Sequence, residues 1–369
     1  MNVPLVDLKA QYAAIKPEID CAIHDVLDEA VFYKGPRVER FEQEFAKYVG
    51  ARFAVGVANC TDALTLALRA LRIGRDDEVI VPAMTFIATA EAVTAVGATP
   101  VFVDIDPATA NIDINKIPRA ITEKTKAIIP VHLAGRAVNM TLLTLVAREH
   151  GLAIVEDCAQ AAGAAWKCCR VGTWGDIGCF SFYPSKNLGG YGDGGMVTTS
   201  DEMLARIVRM TADHGREQKF CHEFAGVSSR LDTLQAAVLA AKLPHLDDWN
   251  GARYRSAQLY NERLKDVEGL VLPAIPANPH EHVFHCYVVR VKDRFHVWDA
   301  LRAKGIETGF HYPAALPFLE AYAYLGYDLD DCPEAWAFSQ ECLTLPLYPE
   351  LTIDQIDYVA DALKEAVGG

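Results

Sequence analysis

Hydrophobic positions in the first part of the chain follow two alternating spacings. Apolar side chains recur at helical spacing at Val38, Phe41, Phe45, Tyr48 and Val49. The repeat stops at Gly50, a residue typical of a helix C-cap. An apolar strand, Phe53–Ala58, comes next, and a helix from about Asp62 to Leu71 follows it. This succession predicts helices packed against a buried sheet.

The same alternation continues to about residue 200. Two helical patterns, Ile87–Val96 and Met140–His150, lie among further short strands, which are Glu78–Val81, Pro100–Asp104, Ala127–Val131, Leu152–Glu156, Ile177–Tyr183 and Met196–Thr199. Strands that are apolar throughout and alternate with helices indicate a mainly parallel sheet covered on both faces. We therefore expect an α/β fold with a mainly parallel, mixed sheet sandwiched by helices.

The pattern changes near Pro244. A long helix studded with polar residues, from His245 to about Asp266, leads into a proline-rich stretch. A strand at Phe284–Val291 and a closing helix at Ile353–Val367 complete an α+β unit. We expect a large domain over residues 1–243, including an N-terminal arm, and a smaller α+β domain over residues 244–369.

Composition and charge exclude several classes of protein. Of the 369 residues, 51% are hydrophobic, so a sizeable core is expected, and the net charge of −14 disfavours nucleic-acid and anionic-membrane partners. No signal-peptide pattern and no apolar run long enough to span a membrane are found. The ten cysteines form no CxxC pair. We expect a cytoplasmic protein with reduced thiols and no metal site.

The turn after the first strand is a candidate phosphate site. Thr61 and Asp62 stand where that strand ends and the next helix begins, and Thr61 is the expected N-cap. The first N–H groups of a helix lack intrahelical partners, so they attract anions. Taken alone, however, this pattern is more typical of residues that simply start a helix.

Asp157 lies at the end of a strand that should be central and buried. Ligands of open α/β sheets gather at that edge, and a buried carboxylate needs a cation or several donors. The protonated pyridine nitrogen of pyridoxal 5′-phosphate (PLP) is such a cation, and Gln160 could reach the phenolic oxygen of the same ring. A buried Asp that caps a neighbouring loop is the alternative.

Lys186 is the candidate nucleophile. It follows an apolar strand and Pro184 and precedes a glycine run, residues 189–195. An amine attacks a carbonyl only when it is unprotonated, and burial favours that form. The glycine run does not fit the GxGxxG pattern between a strand and a helix, which disfavours a nicotinamide-dependent oxidoreductase.

Several motifs in order resemble one known family. ANCTDALTLALRAL, PAMTFIATAEAV, VFVDID, IIPVHLAG, VEDCAQAAGA, GDIGCFSFYPSKNLGGYGDGG and SSRLDTLQAAVL are similar to segments of the DegT/StrS-type sugar-nucleotide aminotransferases. That resemblance implies the fold type I of aspartate aminotransferase and a homodimer with shared active sites. It also implies PLP as cofactor, pyridoxamine 5′-phosphate (PMP) as its intermediate form, and amino transfer from L-glutamate to a keto sugar on a nucleoside diphosphate.

The resemblance also implies residue roles. Lys186 matches the Schiff-base lysine, which also moves the proton, Asp157 the pyridinium partner and Gln160 the neighbour of the phenolic oxygen. Phe86, which by pattern alone reads as core packing, matches the aromatic side chain that stacks on the ring. Phosphate contacts are implied for Thr61, Asp62, Ser181 and, from the neighbouring subunit, Ser228.

The chain departs from the family pattern at three places. Ser228 replaces an asparagine, Cys60 replaces a glycine, and Pro317 lies where many members have a second histidine. A serine is shorter than an asparagine but can still donate a hydrogen bond. The missing histidine removes one expected sugar contact.

Five further residues are candidates for contact with the sugar substrate. Candidate sugar neighbours are Tyr183, His214, Arg216, His311 and Tyr312. The Thr-Asp-Ala-Leu form of the phosphate turn resembles that of the family members that aminate C3, which implies a 3-keto sugar, with a 4-keto sugar or a keto-cyclitol as the alternative. A sugar dehydratase is disfavoured by the presence of Lys186. A non-catalytic regulator that binds PLP or another ligand is the alternative from a different class.

Overall fold

The computed structural model describes residues 1–368. Its strands are β1 (Phe53–Val57), β2 (Glu78–Pro82), β3 (Thr99–Val103), β4 (Thr125–Ile128), β5 (Ala153–Asp157), β6 (Ala165–Trp166), β7 (Cys169–Arg170), β8 (Ile177–Ser181), β9 (Gly195–Thr199), β10 (Leu270–Val271), β11 (Tyr287–Val291) and β12 (Cys342–Leu345). The sequence-based strands agree with these bounds to within a few residues.

The helices alternate with the strands through the first part of the chain. They are α1 (Leu8–Ala14), α2 (Lys16–Glu29), α3 (Pro36–Val49), α4 (Cys60–Ala70), α5 (Ala88–Ala95), α6 (Ile117–Ala120), α7 (Met140–His150), α8 (Glu202–Ala212), α9 (Thr233–Lys242), α10 (Leu246–Leu264), α11 (Arg294–Ala303), α12 (Pro333–Glu341) and α13 (Ile353–Gly368). None of these helices in residues 1–368 has both the length and the apolar character that a membrane span requires.

Seven strands form one large sheet in the order β1-β9-β8-β5-β4-β2-β3. Strand β9 pairs antiparallel with both of its neighbours, and the other pairings are parallel. Helices cover both faces, because buried side chains of α4, α5 and α8 form one core cluster and those of α3 and α9 form another. The expected α/β fold with a mainly parallel, mixed sheet between helices is confirmed.

Aromatic packing fixes α3 on the sheet. The ring of Phe45 lies 5.0 Å from that of Phe180 on β8, and Phe41 lies 5.5 Å from Phe182, both edge to face. All four side chains are fully buried, so each contributes about 1.5–3 kcal/mol by leaving water. This packing holds β8, and with it the start of the segment that carries Lys186, in a fixed position.

A second, smaller sheet is antiparallel and contains three strands in the order β10-β11-β12. Its core includes side chains of α10, α11 and α13. The N-terminus joins this part of the structure, since Val3 pairs with Ile306 and is fully buried. The division into domains at residues 243 and 244 stays a prediction.

The N-terminus of α4 corrects one expectation. The helix begins at Cys60, and its N-cap is Asn59, whose Oδ1 accepts a hydrogen bond of 2.8 Å from the backbone N–H of Asp62. The prediction that Thr61 is the N-cap was therefore wrong. Asn59, Thr61 and Asp62 are all good capping residues, and the sequence alone did not rank them.

A buried polar cluster lies beside the sheet at His132, Glu156 and Cys158. Both carboxylate oxygens of Glu156 are occupied, because they accept backbone hydrogen bonds from Gly172, Trp174 and Gly175. The His132 Nδ1 accepts from the backbone of Val138 at 3.0 Å, so its Nε2 carries the hydrogen and donates to Glu156 at 3.1 Å. The cluster therefore ties β5 to the turn at residues 172–175.

Candidate active site

The carboxyl ends of the parallel strands surround a cavity of about 700 Å³. Strands β1, β2, β5 and β8 each end at this edge of the sheet, as is usual for ligand sites in open α/β folds. The lining comprises Asn59, Cys60, Thr61, Asp62, Leu64, Thr85, Phe86, Ala88, Thr89, Val131, Asp157, Ala159, Gln160, Ser181, Tyr183, Ser185, Lys186, Asp193, His285, His311 and Tyr312. A larger groove of about 1050 Å³ beside α2 and α3 contains none of the predicted site residues.

Lys186 lies in the segment that leaves β8. Its backbone N–H donates to the carbonyl of Tyr183 at 2.9 Å, which closes a turn and directs the side chain into the cavity. Burial lowers the pKa of the Lys186 amine, while nearby Cys286, Cys60 and Asp157 oppose that shift. A larger fraction of neutral amine results, and only the neutral amine is a nucleophile.

Asp157 ends β5 and is buried at the floor of the cavity. Its Oδ2 accepts from the Thr89 hydroxyl at 2.8 Å, and its Oδ1 accepts from the backbone N–H of Ala159 at 3.1 Å. Burial raises the pKa of the carboxyl group, although these hydrogen bonds and Lys186 act in the opposite direction. The site thus favours a cationic ligand group that would restore the charged carboxylate.

Gln160 and Tyr312 form a bridge across the cavity. The Gln160 Nε2 donates to the Tyr312 hydroxyl at 2.8 Å, and its Oε1 accepts from the backbone of Ala134 at 2.6 Å. The Phe86 ring lies 5.7 Å from that of Tyr312 and is 54% exposed. An aromatic face left this open inside a cavity is available to stack on a flat ligand. The interpretation of Phe86 as core packing does not hold.

The other end of the cavity suits an anion. Helix α4 begins there, and because Asn59 caps it, the Thr61 hydroxyl makes no hydrogen bond within residues 1–368. Asp62 and Ser181 line the same region, and the Ser181 Oγ accepts from the backbone of Tyr183 at 3.3 Å. Free N–H groups, a free hydroxyl and the helix dipole together favour a phosphate.

These features fit PLP. Within residues 1–368 the buried carboxyl group of Asp157 forms no ion pair, the Phe86 ring is open to the cavity, and the N–H groups that begin α4 can bind an anion. The pyridinium nitrogen, the ring and the phosphate of PLP suit these three features in turn. Lys186 lies within the same cavity, where it can meet the aldehyde.

Two of the candidate sugar neighbours line the cavity through the segment before α12. The His311 Nδ1 bonds to the Thr344 hydroxyl at 2.8 Å, and burial lowers the pKa of His311 to about 4. Burial also raises the pKa of Tyr312, so that both side chains are neutral near pH 7. Tyr183 lines the cavity as well and is 55% exposed. Their roles as sugar contacts stay predictions.

Three candidates lie outside this cavity. The Arg216 Nε donates to the Asp213 carboxylate at 3.1 Å, and His214 is exposed. Ser228 is also exposed, and its backbone pairs with that of Asp213. Within one chain none of the three lines the cavity, and their proposed contacts stay predictions.

Sequence reasoning missed several residues of the site. Thr89 contacts Asp157 from the first turns of α5, 68 positions earlier in the chain, and nothing in its local pattern marks it. His285 and Asp193 also line the cavity. Asp193 falls inside the glycine run, which was a usable signal, whereas His285 stands in an apolar stretch that reads as a plain strand.

Comparison with known proteins now decides the family. Residues 13–364 match the DegT/DnrJ/EryC1/StrS aminotransferase family. The chain belongs to that family. The expected family and the expected enzyme class, an aminotransferase, are thereby confirmed.

Three curated relatives span almost the whole chain. A UDP-N-acetyl-3-dehydro-alpha-D-glucosamine 3-aminotransferase of Acidithiobacillus ferrooxidans is 46% identical, with 100% of this chain and 98% of that protein covered. A dTDP-3-amino-3,4,6-trideoxy-alpha-D-glucose transaminase of Streptomyces venezuelae is 45% identical, covering 99% and 96%. A "pleiotropic regulatory protein" of Geobacillus stearothermophilus is 43% identical, covering 99% and 98%.

Solved structures agree with this assignment. DesV of S. venezuelae, in complex with a ketimine intermediate, has a TM-score of 0.96 and 44% identity, covering 100% of this chain and 99% of that one. NtdA of Bacillus subtilis, with bound cofactor PMP, has a TM-score of 0.90 and 31% identity, covering 99% and 83%. The predicted fold type I architecture is confirmed, and the predicted cofactor is confirmed at the level of the family.

Proposed function

We propose that this protein is a PLP-dependent aminotransferase that moves an amino group from L-glutamate to a 3-keto sugar carried on a nucleoside diphosphate. The observation that carries the proposal is the convergence of Asp157 and Gln160, from the end of β5, and Lys186, from the segment after β8, on one cavity that begins at the N-terminus of α4. Isolated lysines and acids are common. A set of side chains in which each one suits a different chemical group of the same cofactor is not.

Each residue has a chemical task in this proposal. PLP, when bound, withdraws electrons from the carbon whose proton is moved, and so makes amino transfer feasible. Lys186 would hold the cofactor covalently and would carry the proton as acid and base. Asp157, held by Thr89, would keep the ring nitrogen protonated. Gln160 would lie beside the phenolic oxygen, and Phe86 would stack on the ring.

The position of amination follows from the relatives. The A. ferrooxidans and S. venezuelae proteins, at 46% and 45% identity, both carry names that place the transferred amino group at C3 of the sugar. The neutral side chains of His311 and Tyr312 suit hydroxyl groups of a sugar better than a charged group. A 4-keto sugar and a keto-cyclitol are the alternative acceptors.

A non-catalytic regulator is the candidate from a different class, and it has one observation in its favour. The G. stearothermophilus relative, at 43% identity, carries a regulatory name. A regulator that only senses a ligand has no need for a lysine of lowered pKa beside a buried acid. Lys186 and Asp157 have both features here, which supports catalysis.

The active unit in this proposal is a homodimer in the cytoplasm. Ser228 is exposed and lies outside the cavity of its own chain, so a phosphate contact from it requires a second copy. The exposed side chain of Tyr33 lies near it, since the Tyr33 hydroxyl donates to Asp213, the backbone partner of Ser228, and the preceding residue, Phe32, is also an exposed aromatic. Such a patch is typical of a surface that a partner covers.

A panel of acceptors tests the proposed function. The holoenzyme is incubated with ¹⁵N-labelled L-glutamate and either 3-keto or 4-keto nucleotide sugars, and the products are followed by mass spectrometry. We expect ¹⁵N in the amino sugar formed from a 3-keto acceptor, with a rate at least ~10-fold above that of the 4-keto isomer, because a misplaced carbonyl loses its near-attack geometry.

Two results would contradict the proposal. Labelled product from 4-keto sugars alone would exclude amination at C3. No labelled product from any acceptor, with PLP bound, would favour the regulator. Unlabelled L-glutamate and the Lys186→Ala variant serve as controls for the source of the nitrogen and for the site.

A further inference from the structure

His285 lines the cavity beside Lys186, and the mechanism above gives it no task. It lies on the segment just before β11 and is half-buried. Its Nδ1 bonds to the Oδ1 of Asn187, the residue directly after Lys186, at 3.1 Å. The imidazole is therefore coupled to the lysine segment itself.

Buried amides fix the proton on this ring. The Asn187 Nδ2 donates to the Asn250 Oδ1 at 2.7 Å and to the carbonyl of Val283 at 3.0 Å, so the Asn187 Oδ1 can only accept. Asn250 is itself oriented, because its Nδ2 donates to the carbonyl of Ala162 at 3.0 Å. His285 must then donate from Nδ1, and its Nε2 is left with a lone pair.

That Nε2 has no hydrogen-bond partner within residues 1–368, although the ring faces the cavity. Burial and the charges of Lys186, Arg253 and His311 hold the pKa of His285 well below its usual value. The ring therefore stays neutral and acts as an acceptor. Lys186 carries the cationic group in the lining of this cavity, and Cys286, Cys60 and Asp157 raise the pKa of its amine against the effect of burial.

We propose that His285 is a positioning residue for Lys186, whose Nζ makes no hydrogen bond within residues 1–368 and turns to donate one to the Nε2 of His285 whenever the lysine is protonated, in the apoenzyme as well as during the reaction. No proton passes to His285 in this step. The hydrogen bond fixes the position of the ammonium within the cavity. This inference rests on the proposed aminotransferase function, since it gives a role within that reaction.

Two variants separate the two nitrogens of the ring. In His285→Asn the amide can replace Nδ1 and still donate to Asn187, but nothing reaches the position of Nε2. In His285→Gln the longer side chain carries an acceptor oxygen to the position of Nε2. If the acceptor at Nε2 is what matters, the glutamine variant resembles the wild type and the asparagine variant does not.

Capture of PLP by the apoenzyme provides a readout that needs no substrate. Its rate is measured against pH from the near-visible absorbance, because only the neutral Lys186 amine reacts with the aldehyde. Loss of an acceptor of the ammonium should move the midpoint of the profile down by about one pH unit, a tenfold change in the protonation equilibrium. We expect that shift in His285→Asn, and a midpoint within ~0.3 of the wild type in His285→Gln.

The two half-reactions complete the test. In His285→Asn both halves, with L-glutamate and with the keto sugar, should slow by about tenfold, because Lys186 moves a proton in each. An unshifted midpoint in His285→Asn, or a larger shift in His285→Gln, would overturn the proposal. A loss confined to the sugar half would also overturn it, since His285 would then contact the sugar. Wild-type apoenzyme that captures no PLP would instead mark failure of the proposed function.

Discussion

Replacing Lys186 by alanine should lower the rate of amino transfer by at least ~10⁴-fold, because one side chain supplies both the covalent bond and the proton transfer. The loss should fall on kcat and kcat/KM together. The variant should still bind PLP without a covalent bond, since Asp157, Phe86 and the start of α4 remain. Steady-state rates and the absorbance of the bound cofactor measure the two parts of this prediction.

The matched control for this variant is Lys167→Ala. Lys167 is exposed in the turn between β6 and β7, away from the cavity, and its replacement should leave the rate unchanged. Retained turnover in Lys186→Ala would show that another group is the nucleophile. Loss of PLP binding as well as turnover would show that Lys186 has a structural role in the site rather than a chemical one.

Replacing Asp157 by alanine should lower kcat by about 10²–10³-fold, a loss comparable with that from removing one preorganised hydrogen-bond donor from an oxyanion hole. Without the carboxylate the ring nitrogen loses its proton and the cofactor withdraws electrons less strongly. The comparison with Asp299→Ala, an exposed acid on α11, controls for the general loss of a negative charge. A nearly normal rate in Asp157→Ala would remove Asp157 from the assigned role.

Removal of the Asp157 charge, which should lower activity, should not lower the folding stability of the apoprotein. Because the pKa of Asp157 is raised in the folded apoprotein, the folded state holds its proton to higher pH than the unfolded chain does. Ionisation of Asp157 therefore costs stability as pH rises above that of the unfolded carboxyl group. The Asp157→Asn apoprotein should be at least as stable as the wild type at pH 7 in urea unfolding, and a marked loss of stability would assign Asp157 a structural role.

Much of the fold could be predicted from the sequence, because strands buried on both faces are apolar throughout and are bounded by turns. β2, β5 and α7 lie within two residues of their predicted limits. The N-terminal helices α1 and α2 were not predicted. Only Gln11 of α1, and Ile19 and Val26 of α2, are buried, so their apolar pattern is weak.

The site was predictable where chemistry requires a particular side chain at a strand end. Asp157 is the last residue of β5, Gln160 and Lys186 follow the ends of β5 and β8, and all three line the cavity. The cap at Asn59 and the contact from Thr89 were not predictable, because each depends on which of several equivalent polar groups the tertiary structure brings close. His285 was missed for the same reason, since its tautomer depends on amides more than thirty residues away along the chain.

Borohydride reduction of the PLP-loaded enzyme, followed by peptide mass spectrometry, tests the central claim most directly. Reduction makes the bond between lysine and cofactor permanent, so the modified peptide identifies the nucleophile. The account predicts a single modified site at Lys186, with no modification in Lys186→Ala. PLP trapped on another lysine, or no trapped PLP in a protein that binds the cofactor, would contradict it.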